Sequence, residues 1–216
     1  MPSSAILMFH HITDSPTVQK SKCVLSFDSF KDIINRYSNY DSLEKVVEKP
    51  SNKKIAITFD DGLEDVYTLA YPFLKSKNIP FTIFVITDLL DTEGYITTNQ
   101  LIEMASDELV TVGSHGVSHK ILKHCNINEQ KYEISESKRK LEKIISQPIN
   151  AFAFSHGMFN KNTVKLMGEY KFGFTVKEYP LNVISARNKK LLPRFNVEDK
   201  TFSNINEKLQ KIFKGK

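Results

Sequence analysis

The chain contains no tryptophan, two cysteines, eight glycines and eight prolines in 216 residues. Cys23 and Cys125 show no CxxC pair and no metal-ligand spacing, so both read as unpaired packing thiols, in keeping with a reducing compartment. There is no Gly/Ser linker, low-complexity tract or internal repeat, which leaves a single domain over 1–216. The N-terminal apolar run "AILMF" is interrupted by His10 and His11 and has no basic segment before it. It is too short for a signal-peptide core or a membrane span, so the chain as given reads as cytoplasmic, with no transmembrane segment.

What is present is ordinary for a globular protein: 40% apolar and 25% charged residues, with fifteen Phe and eight Tyr. The length suits one α/β domain with a substantial core. A net charge of +5 and a pI near 9.0 come largely from "RNKKLLPR" and "KLQKIFKGK". Such an excess either favours anionic partners, phosphorylated sugars among them, or is a solvated surface. No nucleic-acid motif accompanies it, so no nucleic-acid partner is expected.

Apolar runs alternate with helical patterns. Strands are expected at 5–12, 54–60, 80–90, 109–116, 150–157 and 172–176, and the stretch at 190–197, which carries Pro193, reads as an edge strand or loop. Helices are expected at 26–38 with Ser26 as N-cap, from Gly62 to Asn78, after a Thr cap near 97, at 126–147, at 160–170 and at 202–214. This alternation calls for a mostly parallel sheet, either a barrel or a doubly wound sheet.

The chemistry gathers at strand ends. "TFDDG" sets Asp60 and Asp61 side by side, and two confined like charges need a cation, a shared proton or open water. Of the six histidines, His10, His11, His115 and His156 lie at or just beyond apolar strands. His115 and His119, in "GSHGVSHK", are spaced so that on a helical turn both imidazoles share one face and can share an ion. One carboxylate and two imidazoles suit Zn²⁺ best, with Co²⁺, Ni²⁺ or Fe²⁺ also compatible.

These motifs resemble those of the polysaccharide deacetylases, the NodB-homology domain of carbohydrate esterase family 4. "TFDDG" and "SHGVSHKIL" carry the resemblance. "ILMFHHI", "GYITTNQLIEM", "FAFSHG" and "LPRFNV" are similar to further family segments, so it extends over nearly the whole chain. It implies a distorted (β/α) barrel and metal-dependent removal of an N-acetyl group from an amino sugar. Asp61, His115 and His119 would be the metal ligands and Asp60 the general base that takes a proton from the attacking water. The substrate would be an N-acetylated sugar or oligosaccharide, with a nucleotide- or lipid-linked precursor as one form.

Two departures bear on mechanism. The arginine of the family's third motif is missing from "FAFSHG", and Arg194 is the candidate to orient Asp60 in its place, the alternative being a surface arginine. The late histidine that serves as general acid is absent, since no histidine follows His156. His156 is the first candidate for that role, with His10 and His11 behind it and Phe159 as a stacking surface for a sugar ring. The alternative function is a catalytically impaired carbohydrate-binding module on the same fold.

Overall fold

The computed structural model describes residues 3–14, 23–50 and 52–214. Among them, β1 (Ala5–Phe9), β4 (Ile55–Phe59), β5 (Phe81–Val85), β6 (Val110–Ser114), β7 (Ala151–Ala153), β8 (Phe172–Phe174) and β9 (Phe195–Asn196) form one sheet. Its order is β8-β7-β6-β5-β4-β1-β9, and each adjacent pair runs parallel.

The sheet curls until its edges nearly meet, and the segment 192–197 closes the gap. Leu192 N–H donates to Gly173 O (2.8 Å) and Leu192 O accepts from Thr175 N–H (2.9 Å), while Val197 N–H donates to Met8 O (2.9 Å). One short segment therefore touches β8 at its start and β1 at its end. The result is the distorted (β/α) barrel expected, and Pro193 sits where the chain passes from one edge to the other, needing no ladder N–H of its own.

Side-chain alternation then decides what the curl encloses. Ala5, Leu7 and Phe9, like Ile55, Ile57 and Phe59, pack outward against the helices. Ile6, Ala56, Phe84, Ala151, Ala153, Phe174 and Leu192 form a second, inner cluster. The same two-residue period carries the inner face from Ile6 and Met8 to His10, from Ala56 and Thr58 to Asp60, and from Leu192 to Arg194 and Asn196. The polar groups thus stand on the mouth side of the narrow inner core.

The helices follow local signals. α1 (Phe27–Arg36) is capped by Ser26, whose hydroxyl accepts from Ser29 N–H, and it buries Phe30, Ile33 and Ile34. Phe30 meets Phe9 edge-on at 5.2 Å; burying each such ring is worth roughly 1.5–3 kcal/mol. α4 (Thr98–Ala105) opens with a reciprocal Thr97–Gln100 capping box. The long expected helix at 126–147 is α5 (Ile127–Lys131), a π turn (Tyr132–Glu136) and α6 (Ser137–Ile145), opened by an Asn126–Glu129 box. α7 (Lys161–Leu166) and α8 (Phe202–Lys214) complete the expected set.

Some expectations need correcting. The strand drawn over 5–12 divides at His10: β2 (His11–Thr13) leaves the main sheet and pairs with β3 (Val24–Ser26). The helix after "TFDDG" contains a π turn (Val66–Ala70) before α3 (Tyr71–Ser76). The strand placed at 80–90 ends at Val85 and continues as a 3₁₀ turn, Thr87–Leu89. A short helix, α2 (Leu43–Glu48), was not foreseen.

Candidate active site

A cleft of about 390 Å³ opens at the carboxyl ends of the strands, and His10, Asp60, His115, His119 and His156 line it. Beyond those expected residues, Met8, Cys23, Phe154, Val176, Glu178 and Asn196 complete the wall.

Asp60 and Asp61 follow β4 directly, yet they meet different partners. Asp60 is 2% exposed and faces a guanidinium with no solvent-exposed surface. Arg194 Nη1 donates to Asp60 Oδ1 at 2.6 Å and Nη2 to Oδ2 at 2.7 Å, a bidentate pair. Arg194 also donates to Thr175 O (3.2 Å) and Thr58 Oγ1 (3.3 Å), and its guanidinium lies 5.3 Å from the centroid of the Phe84 ring. Phe84 has that position because residue 113 is glycine: a Cβ there would fall 2.5 Å from the Phe84 ring. Burial pushes the Asp60 carboxyl up, but the Arg194 charge and His115 outweigh it and hold the group below the usual carboxylate range.

Asp61 adopts a left-handed φ of 74° ahead of Gly62 at 78°, which turns its side chain toward the histidines. Its Oδ1 is buried and, among the described residues, has no hydrogen-bond partner. That atom lies 3.4 Å from His115 Nε2 and 3.5 Å from His119 Nε2. Tetrahedral ligands at about 2.1 Å from one ion stand about 3.4 Å apart, so the spacing fits a divalent cation among the three. His115 Nδ1 donates to Ala153 O at 2.8 Å, which leaves the Nε2 lone pair facing Asp61.

The titration behaviour of Asp61 and His119 agrees with that donor set. For Asp61 burial acts upward, but the neighbouring imidazole of His115 outweighs it and, with the His10 and His119 charges, holds the carboxyl well below the usual carboxylate range. His119 is lowered to about 4, by burial first and by His115 second, so its ring is neutral at neutral pH. Burial lowers His115, while the Asp60 and Asp61 carboxylates more than offset this and leave it raised.

The histidine pair comes together by a different route from the one expected. Residues 115–119 form a loop, not a helical turn. Gly116 (φ 89°) and His119 (φ 61°) are both left-handed, and their two reversals bring the imidazole centroids to 4.9 Å. His156 is exposed at the rim, also left-handed (φ 55°), with its ring 4.6 Å from that of His119. A non-glycine residue held at positive φ costs about 1–3 kcal/mol and persists only where its surroundings fix it.

The remaining candidates separate. His10 lines the cleft, and burial lowers its pKa despite the nearby Asp60 and Asp61 charges. His11 turns away and pairs through Nδ1 with Asp65 Oδ2 at 2.7 Å. Phe159 does not line the cleft: the turn at His156 and Gly157 sends it to the far side of Phe154, ring centroids 4.9 Å apart, where it faces a separate groove. Glu133, which the sequence did not single out, touches the histidine loop. The helical spacing of Gln130, Glu133, Ile134, Ser137 and Leu141, all buried, is the signal that marks it as inward-facing.

The model of the family described as "Polysaccharide deacetylase" matches residues 47–175. Poly-β-1,6-N-acetyl-D-glucosamine N-deacetylase of Staphylococcus epidermidis is 27% identical over 168 residues, 71% of this chain and 57% of that protein. YxkH of Bacillus subtilis (strain 168) is 32% identical over 132 residues, 60% of this chain and 47% of that one. The chain thus spans about half the length of the curated relatives it matches. The structure of Streptococcus pyogenes deacetylase PplD in complex with acetate is similar with TM-score 0.83 at 26% identity, covering 97% of this chain and 99% of that one. IcaB from Ammonifex degensii, 19% identical with TM-score 0.83 over 97% and 98% of the two chains, supports the fold alone.

Proposed function

The chain belongs to the polysaccharide deacetylase family, and on that premise we propose that it is a metal-dependent carbohydrate N-deacetylase. The observation that carries this reading is Asp61 Oδ1, buried without a hydrogen-bond partner among the described residues and 3.4 and 3.5 Å from two imidazole Nε2 atoms. A divalent cation held by Asp61, His115 and His119, with Zn²⁺ the best match to these donors and Co²⁺, Ni²⁺ or Fe²⁺ also suited, would supply Lewis acidity toward the acyl carbonyl and the attacking water.

Asp60 is the general base. Arg194 fixes the orientation of its carboxylate and keeps it ready to accept a proton, because the bidentate pair favours the charged form. The backbone N–H of His156 or a neighbour, by its position in the family's third motif, would serve the developing oxyanion. The His156 ring, beside His119 at the rim, gives its proton to the leaving amine. His10 forms part of the wall against which the sugar rests.

The substrate class follows from the relatives: an N-acetylated amino sugar within a polysaccharide, poly-β-1,6-N-acetyl-D-glucosamine being the one in the name of the staphylococcal relative. The binding-module alternative rested partly on the missing third-motif arginine, and Arg194 brings a guanidinium to Asp60 from another segment.

The test is acetate release from β-1,6-linked N-acetylglucosamine oligomers. Release is expected from metal-replete protein, should stop with a chelator and should return with Zn²⁺. Asp60→Asn is expected to lower the rate about 10²- to 10⁴-fold while the metal stays bound. Release that ignores the chelator, or none from metal-replete protein on any N-acetylated sugar, would overturn the proposal.

A further inference from the structure

The loop bearing His115 and His119 is clasped by a group that lies in neither motif. Glu133 is 2% exposed, on the π turn between α5 and α6. Its Oε2 accepts from the N–H groups of Val117 (2.8 Å) and Ser118 (2.9 Å), and its Oε1 accepts from the Ser118 hydroxyl (2.6 Å). From the other side, Thr87 N–H donates to Gly116 O (3.2 Å) and Asp88 N–H to Val117 O (2.9 Å). The loop is held by its donors and its acceptors together.

Two features tie this clasp to the histidines. Gly116, at φ 89°, lies so close that a Cβ there would stand 3.0 Å from Glu133 Oε2, so the carboxylate packs directly on the residue after His115. Ser118, which donates twice to Glu133, immediately precedes His119 at its left-handed φ of 61°. Glu133 lies within the π turn Tyr132–Glu136 itself. Turns of this kind are often found at functional sites.

We propose that Glu133 is a positioning residue that sets the metal affinity of the site by holding the 116–118 backbone in the conformation that converges His115 and His119. This rests on the metal-site reading above. Among the described residues the three donors meet acceptors only at Glu133, so an alanine would leave the buried Val117 N–H and the part-buried Ser118 N–H without their acceptor and free the loop to relax. A glutamine keeps one oxygen of the same shape for both N–H groups, and its amide nitrogen can donate to the Ser118 hydroxyl.

The experiment is calorimetric titration of Zn²⁺ into metal-free protein, with thermal melting run in parallel. Glu133→Ala is expected to weaken Zn²⁺ binding about 10- to 100-fold, and Glu133→Gln to restore most of it. Leu141→Ala, at a fully buried position on the same helical stretch, should lose stability and keep its Zn²⁺ affinity. A Glu133→Ala protein that melts lower but binds Zn²⁺ like the wild type would reduce Glu133 to a packing role. Should Glu133→Ala fail to fold, Ser118→Ala removes only the 2.6 Å hydroxyl bond; a smaller loss of affinity is expected, and an unchanged one overturns the proposal. A wild type that takes up no Zn²⁺ sinks the metal reading itself, a result distinct from equal binding by wild type and variant.

Discussion

The two walls of the cleft differ in how their charges are satisfied. On one, His115 and His119 line the cleft, and Asp61 presents to them a buried oxygen with no hydrogen-bond partner among the described residues. On the other, both Asp60 oxygens are taken by Arg194, which is itself fixed by Thr175, Thr58 and the Phe84 face. Adjacent carboxylates on one strand end thus have opposite settings: one open to a further ligand, one closed. On the proposed function the difference would divide the labour of the site, because a ligand oxygen needs a vacant lone pair and a base needs a fixed direction.

The strongest way to break that contrast is to open the closed side. Arg194→Met should leave Asp60 buried and unpaired, at a cost of about 3–5 kcal/mol in stability measured by urea unfolding near neutral pH. Asp60 is held low in the wild type, so its contribution is present above the unfolded carboxyl pKa and lost as pH falls. Without Arg194 burial acts unopposed by that charge, and the acid limb of acetate release should move to higher pH. A variant with wild-type stability and an unmoved limb would show that Arg194 does not govern Asp60.

The rim offers a sharper cut between binding and proton delivery. His156→Ala should slow deacetylation about 10²-fold or more with metal content unchanged. A near-wild-type rate would remove His156 as the acid.

The smallest effect lies outside the cleft. The hydrogen bond to Asp65 outweighs burial and raises His11 above its ordinary value. Its stabilisation is therefore full below about pH 6.5, the unperturbed histidine value, and is lost as pH rises through the raised folded value. His11→Gln should cost less than about 1 kcal/mol, because the pair is partly exposed, and the cost should shrink at alkaline pH. An equal cost at both ends would show that the pair acts through packing alone.

The open wall was legible because each part is local: a strand end with paired carboxylates, and two histidines in one short loop. Even there the spacing suggested a helical turn, whereas two left-handed residues do the work. Arg194 could be named only as a candidate, since its contact with Asp60 joins positions 134 apart and depends on where the sheet closes. Phe159 misled because neighbours in sequence part company at a left-handed turn. Glu133 sits among charged residues, and although its spacing with Ile134, Ser137 and Leu141 marks it as inward-facing, its partners in the histidine loop lie 15 and 16 positions away and are not visible in that pattern.

The most direct measurement is bound metal per chain, by elemental analysis of protein prepared without chelator, for the wild type and His119→Ala. One divalent ion per wild-type chain, lost in the variant, is the expected result. No ion in the wild type after reconstitution with Zn²⁺, Co²⁺ and Ni²⁺ would contradict the metal-dependent site.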